Sequence, residues 1–379
     1  MDGTPRDRSH SPRLLDGVIR NSPRTNYQTL LNMRYTRLLL LMAATLLCGG
    51  AQAQLPRIIL QSGGTPQVFT TVNAALAAAQ PNDKLYFSGG TFLEAAGITI
   101  DKPLHFIGAG IHPDSANVTG VTTWSTGGST EITITTAASG STFTGIIFNP
   151  DGEIQYGTSV ADDDPKGLIF QRCAFEDDII MGFAEGADAS SSFDECIFRD
   201  VLTGRASTAV ITNSILDGAT VSLFRPSGLI LRNSTVLNAR LQNSQNSIVQ
   251  NCVFTYNGAP LWQVNGVQIS NCLITGTEMF SNSSSNQESN NIYGQAAGSI
   301  FVSESDGNYD FDDDLRLAPT SPGVNAGNDG RDIGMYGSGS PYKTGAVPYN
   351  PHYQEAQING ATNGLGELPV NIRMAAQPQ

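Results

Sequence analysis

Two runs of carboxylates, Asp162-Asp163-Asp164 and Asp177-Asp178, stand close to Lys166 and Arg172. Hard oxygen ligands of this kind suit Ca²⁺, and a bound Ca²⁺ would bridge an acidic protein to a uronate polymer. The competing reading is a solvated loop, the usual fate of a charge run. A second set, Arg199, Asp200, Arg205 and Asp217, has the residue types for a polar groove. Trp124, Trp262 and Tyr256 are the aromatic side chains that could stack on a sugar. The substrate-binding candidates are therefore Arg199, Asp200, Arg205 and Trp262. The metal candidates are Asp162, Asp163, Asp164, Asp177 and Asp178.

Two further patterns offer less. Asp306-x-Asn308-x-Asp310-x-Asp312-x-Asp314 begins with the spacing of an EF-hand loop, but Phe311 stands at the glycine position and Leu317 at the twelfth. That favours a turn closing the last repeat. His105, His112 and His352 show neither metal-ligand spacing nor a Ser/His/Asp arrangement. No catalytic residue is assigned.

What must position these residues is a repeat. The pairs Asn213-Ser214, Asn233-Ser234, Asn251-Cys252 and Asn271-Cys272 mark one slot, with Gly145-Ile146, Arg172-Cys173, Glu195-Cys196 and Asn290-Asn291 as weaker forms. From Arg172 onward the slots recur every 18 to 23 residues. Two residues before the slot stand Phe143, Phe170, Phe193, Ile211, Leu231, Val249 and Ile269. Three after it stand Phe148, Phe175, Phe198, Leu216, Val236, Phe254, Ile274 and Tyr293. A short repeat with its own apolar columns is a solenoid, in which each unit buries its face against its neighbours. The strands are short, turns of Gly, Asn and Asp separate them, and no long helix intervenes, so the coils form a parallel β-helix. Asn suits the slot because a sharp bend needs a left-handed residue, and stacked Asn amides can bond along the axis.

Ahead of the repeats, Val72 to Ala79 reads as a short helix after a Thr70/Thr71 cap, stopped by Pro81. It is well placed to cover the open end of the solenoid. Insertions near Gln155–Lys166 and Gly182–Asp188 should be loops on one face, often the binding face. The column Glu176, Arg199, Asp217, Asn238, Thr255 and Thr275 points outward and alternates in charge, which favours in-register stacking.

Met33 opens a segment with Arg34 and Arg37, the apolar run Leu38–Leu47 and Ala51-Gln52-Ala53, the layout of a secretory signal peptide at 33–53. Residues 1–32 are expected to be an upstream extension, 54–340 the β-helix with its cap, and 341–379 a tail with a closing strand. Leu47 before Cys48 departs from a lipoprotein signal, so a soluble exported protein is expected, periplasmic, extracellular or at the cell surface, and without a membrane span. Removing residues 1–53, with seven Lys/Arg and three Asp/Glu, takes the net charge from −13 to −17. Such acidity excludes nucleic acid as a partner and favours a monomer. Cys173, Cys196, Cys252 and Cys272 share the inward slot, where parallel stacking gives a poor disulfide dihedral. Free buried thiols are expected, with a Cys252–Cys272 bond as the alternative.

The stretch Phe69-Thr70-Thr71-Val72 to Ala79, then Asp83-Lys84-Leu85-Tyr86-Phe87, Gly90-Thr91-Phe92 and Ile98 to Leu104, resembles the start of pectin-lyase-like right-handed β-helix proteins. Leu315-Arg316-Leu317, Ser321-Pro322, Asn325-Ala326-Gly327 and Asp332-Ile333-Gly334 resemble the closing coils of secreted bacterial β-helix repeat proteins. The resemblance covers about residues 57–340 and implies an all-β fold, a single-stranded right-handed parallel β-helix with a short N-terminal capping helix. It implies no one activity, because this fold hosts lyases, hydrolases, esterases and adhesins. Gly90-Thr91-Phe92-Leu93-Glu94 resembles an element of pectin methylesterases, but their catalytic Asp and Arg-Trp segments have no counterpart here. The Gly-His-Gly element of polygalacturonases is also missing. The expectation is an exported protein that binds or processes polysaccharide on one face, as a lyase or glycoside hydrolase if it is an enzyme, with Ca²⁺ as the cofactor to test. The alternative is a non-catalytic cell-surface or adhesive structural protein.

Overall fold

A computed structural model describes residues 56–343, except Ser115, Asn117 and Ser305, together with 352–358 and 361–375. The expected signal peptide, the upstream extension and Cys48 lie outside the described residues.

Three parallel sheets wind around one core. The long sheet carries the strands that precede each slot, among them Leu168–Gln171, Ser190–Asp194, Thr208–Thr212 and Leu229–Arg232. The second sheet follows the slot, with Ala174–Phe175, Ile197–Phe198, Ile215–Asp217 and Thr235–Leu237. The third includes Ile154–Tyr156, Ile179–Ile180, Leu202–Thr203, Arg240–Gln242 and Leu261–Trp262. The second and third sheets have nine strands each, all parallel. The fold is a parallel β-solenoid, as the repeat requires.

Register follows the predicted columns. Phe143, Phe170, Phe193, Ile211, Leu231, Val249 and Ile269 pair in succession. In coils rich in phenylalanine the rings stack along the axis: Phe106–Phe143 at 4.8 Å, Phe143–Phe170 at 4.6 Å and Phe170–Phe193 at 5.0 Å. A second stack, Phe148–Phe175–Phe198, stands beside it at 5.3 and 5.2 Å. Strand spacing of ~4.8 Å is close to the offset-stacking distance of two rings, so backbone pairing and aromatic packing reinforce each other.

The slot residue is left-handed at every coil: Gly145, Arg172, Glu195, Asn213, Asn233, Asn251, Asn271 and Asn290 have φ between 48° and 68°. A second left-handed column, Leu223, Asn243, Gln263 and Asn282, turns the chain after the third sheet. The expected Asn-to-Asn ladder does not form. The axial hydrogen bonds run instead through the small residue behind the slot: Cys196 N donates to Ser214 Oγ at 3.0 Å, and Ser214 N to Ser234 Oγ at 3.2 Å. The amides of Asn251 and Asn271 reach a later segment instead, donating to Asn328 Oδ1 at 2.7 Å and Ala326 O at 2.9 Å, while Asn213 Nδ2 donates to Asp194 Oδ1 of the preceding coil at 2.9 Å. Cys173, Cys196, Cys252 and Cys272 are free and buried in this column; burial pushes the Cys196 and Cys272 thiols well up.

The N-terminal end is closed twice. Ile58–Gln61 pairs antiparallel with Lys84–Phe87 and with Gln67–Phe69, which ends the long sheet. Helix α1, Val72–Ala78, lays Val72, Ala75 and Leu76 over the core. Thr71 stands at its N-cap position but makes no side-chain capping bond. The Glu94 carboxylate does so instead, accepting from Val72 N and, at 3.2 Å, from Asn73 N.

At the other end the tenth coil begins with Gln287–Ser289. Glu288 falls in register with Ile269, so a carboxylate takes the next place in the core column. Glu288 is exposed at this open end, and a charge on an edge strand discourages further pairing.

The expected closing strand corrects to something else. Val370–Ala375 exists, but it pairs antiparallel with His352–Ile358 as a two-stranded hairpin and not with the solenoid. The segment from Ile300 to Lys343 is a strap across the outer face of the second sheet. Ile300, Phe301, Tyr309, Leu315, Ile333, Met335 and Tyr342 bury against Ala174, Ile197, Ile215, Leu237, Val253 and Leu273.

Candidate functional site

The five metal candidates are not brought together. Asp162, Asp163 and Asp164 lie in the loop after Ile154–Tyr156, at the corner between the third and long sheets. Asp177 and Asp178 lie at the other edge of the third sheet. Asp162 caps its own turn, and Asp163 and Asp164 tie this loop to the next insertion loop. Asp162 accepts from Thr158 N at 2.9 Å and Ser159 N at 2.8 Å. Burial works to raise its pKa, but the bonds from Thr158 and Ser159 outweigh it and hold the carboxyl low. Asp163, buried, accepts from Phe183 N at 2.9 Å, so one insertion loop fastens the next. Asp164 accepts from Asp188 N, and Asp188 pairs with Lys166 at 2.6 Å and with Arg225. Among the described residues no group of three or more His, Cys, Asp or Glu side chains converges for a metal ion.

Asp178 and Asp200 do meet. Both carboxylates accept from the one backbone N–H of Val201, at 3.1 and 2.8 Å. Burial, then the negative field of Asp200, pushes the Asp178 carboxyl up. Burial likewise raises Asp177, with Asp200 and Asp151 adding to it, and raises Glu153, with Glu131 and Asp178 adding. This corner is an acidic edge along successive coils.

The substrate-binding candidates divide among separate surfaces. Arg199 pairs with Asp217 at 2.7 Å and with Glu176 at 3.3 Å, and its Nη1 also donates to Tyr309 O at 3.0 Å. The outward column is therefore structural, as its charge alternation suggested, and its guanidinium anchors the strap. Burial raises the Asp217 carboxyl, opposed by a backbone bond from Tyr309 and by Arg199. Asp200 is on the acidic corner. Arg205 sits at the opposite corner, left-handed at φ 48°, and pairs with Glu185 at 2.7 Å. Trp262 is half-buried on the outer face of the third sheet, in register with Gln242 and Ser281. Trp124, an expected stacking residue, is wholly buried among Phe87, Phe106 and Phe148. It is core because its strand, Thr122–Thr126, pairs so that Trp124 aligns with Phe92 and Phe148.

The Asp306–Asp314 run belongs to the strap and does not close a coil. Asn238 Nδ2 donates to Gly307 O at 2.7 Å, and the Phe311 ring stands edge-on to His112 at 4.7 Å. His112, Asp114, Asp310, Phe311, Asp312 and Asp313 line a cleft of about 590 Å³. Its imidazole is committed: Nδ1 faces Asp114 N at 3.2 Å and Nε2 faces Phe311 O at 3.3 Å. The first contact makes Nδ1 the acceptor and leaves the proton on Nε2.

Three important groups escaped the sequence reading. Glu94 caps α1. Arg172 and Glu195, read only as weak forms of the slot, are a buried bidentate pair at 3.0 and 3.2 Å, and Glu195 also accepts from Lys343 N at 3.0 Å. The strap itself had a signal. Ile197-Phe198, Ile215-Leu216, Val253-Phe254 and Leu273-Ile274 are apolar doublets where a half-exposed strand would alternate, which means both faces are covered.

No family profile and no curated protein matches this chain. Among solved structures it is similar to QnrB1, a plasmid-mediated fluoroquinolone resistance protein, with a TM-score of 0.29 and 12% identity over 52% of this chain and 92% of that one. So distant a likeness decides nothing about function. Among the described residues no helix is long and apolar enough to cross a membrane.

Proposed function

We propose that this protein is an exported, monomeric, non-catalytic solenoid that binds polysaccharide on an open outer face. One observation carries the reading. Asp162, Asp163, Asp164, Arg199 and Arg205, five of the residues singled out from the sequence, are engaged in turn, loop, ion-pair or strap contacts, whereas the faces outside the strap carry polar ladders. On the third sheet Thr203, Ser222, Gln242, Trp262 and Ser281 follow one another in register. On the long sheet Thr144, Gln171, Asp194, Thr212, Arg232 and Gln250 do the same. Strands ~4.8 Å apart repeat such groups on a scale close to the rise of a sugar residue. The resemblance to secreted pectin-lyase-like proteins supports carbohydrate as the partner class and export as the setting. The missing catalytic segments support binding over cleavage.

The purified protein should be run on native gels containing a panel of neutral and acidic polysaccharides, with Ca²⁺ or EDTA. In parallel, new reducing ends and unsaturated-uronate absorbance near ~235 nm should be followed, which separate hydrolysis from elimination. Retardation without release, indifferent to EDTA, is expected. Ca²⁺-dependent absorbance would replace this reading with a lyase, and reducing ends alone with a hydrolase.

A further inference from the structure

The open end of the third sheet combines side chains found together nowhere else in the described molecule. Leu241 and Leu261 are paired and buried, so Gln242 and Trp262, one residue further along each strand, both face outward. Arg240 precedes Gln242 by two residues and shares its face. Its guanidinium lies over the Tyr256 ring, 4.2 Å from the centroid, and Nη2 donates to the Tyr256 hydroxyl. The Arg240 Nε is buried with no hydrogen-bond partner among the described residues. Ser281 continues the column beyond Trp262.

We propose that Trp262, Gln242 and the Arg240–Tyr256 pair form a subsite for a pyranose ring of a neutral polysaccharide. This rests on the polysaccharide-binding reading above and names where it happens. An indole offers an apolar plate to the C–H face of a sugar. Gln242, on the adjacent strand, supplies both a donor and an acceptor for ring hydroxyls. Arg240, held flat on Tyr256, adds fixed donors at little further entropic cost. A uronate is disfavoured, because the chain carries −13 and the acidic corner with Asp178 and Asp200 borders this same sheet. Tryptophan is an internal reporter: the chain has two, and Trp124 is 0% exposed, so surface quenching reports Trp262.

The full chain should be titrated with cellohexaose, xylohexaose and mannohexaose, with oligogalacturonate as the acidic comparator, reading tryptophan emission and gel retardation. A saturable emission change with one neutral oligosaccharide is expected. Trp262→Ala should weaken binding at least tenfold, Trp262→Phe only a few-fold, and Gln242→Ala severalfold. Ile169→Lys on the long sheet should change nothing. Unaltered urea midpoints would show that the variants fold. Retention undiminished by Trp262→Ala, or lost only in Ile169→Lys, would overturn the subsite and leave the polysaccharide reading standing. A preference for oligogalacturonate would overturn the neutral specificity. No retention by any neutral or acidic polysaccharide would overturn both.

Discussion

Asn251 and Asn328 clasp each other at the edge of the second sheet: Asn251 Nδ2 donates to Asn328 Oδ1 at 2.7 Å, and Asn328 N donates to Asn251 Oδ1 at 3.0 Å. The left-handed slot turns the Asn251 amide outward, where it meets the strap instead of its neighbours in the ladder. Gly334 N donates to the Asn251 carbonyl at 2.8 Å, so one residue anchors two points of the strap. Asn328→Ala should cost about 1–2 kcal/mol, the scale of one to two hydrogen bonds. The loss should appear first as faster amide exchange at Gly334 and easier proteolysis of the strap. Unchanged exchange there would mean that apolar packing alone holds it.

The Arg172–Glu195 pair should show strong coupling. Its side chains are 2% and 4% exposed, so either charge left alone is costly. Glu195→Asn should destabilise by about 3–5 kcal/mol in urea, whereas adding Arg172→Asn should recover much of it. The double variant restores the residue used at the later slots and suits the left-handed backbone. Simple additivity of the two single losses would argue that the charges act independently.

The acidic corner sets a pH dependence. Asp178 is raised in the folded state, by burial first and Asp200 next. Between its unfolded pKa and its higher folded pKa, the native state holds more protons, so stability from this group falls as pH rises through that window. Asp178→Asn should therefore stabilise at neutral pH by less than ~1 kcal/mol, as expected for a partly exposed site. The gain should vanish below about pH 4, where the unfolded carboxyl is protonated too. The bond from Val201 N survives, since the amide oxygen can accept it. A variant less stable than wild type at pH 7 would show that the bond to the charged form matters more than repulsion.

The core columns predict a sharp contrast in tolerance. Leu231 is buried between Ile211 and Val249, so Leu231→Asp should unfold the chain cooperatively, at a cost above ~3 kcal/mol. Thr275→Ser, on the outward column, keeps the hydroxyl that donates to Tyr256 O at 3.3 Å and should be near neutral. Equal urea midpoints would defeat the register.

The sequence by itself determined the solenoid. A repeat of short apolar strands with a residue able to turn left-handed at a fixed place leaves one arrangement in which every coil covers the next, and the columns of Phe143 and Phe148 found their partners in it. It also determined that Cys173, Cys196, Cys252 and Cys272 are core, since they share the inward position with Ser214 and Ser234. Tertiary structure decided what those coils do at their outer surfaces. The partner of Glu94 is 22 residues away, that of Asn251 is 77 and that of Arg199 is 110, and no local period encodes such pairings. The doublets such as Ile197-Phe198 announced that something covers the second sheet, but only chain reversal after Tyr293 could say that the strap does so. For the same reason Asp162 and Asp178, 16 residues apart, are separated by the width of a sheet, while Asp178 and Asp200 share one N–H. One coil of a solenoid carries neighbours in sequence around to opposite sides and brings residues a full repeat apart side by side.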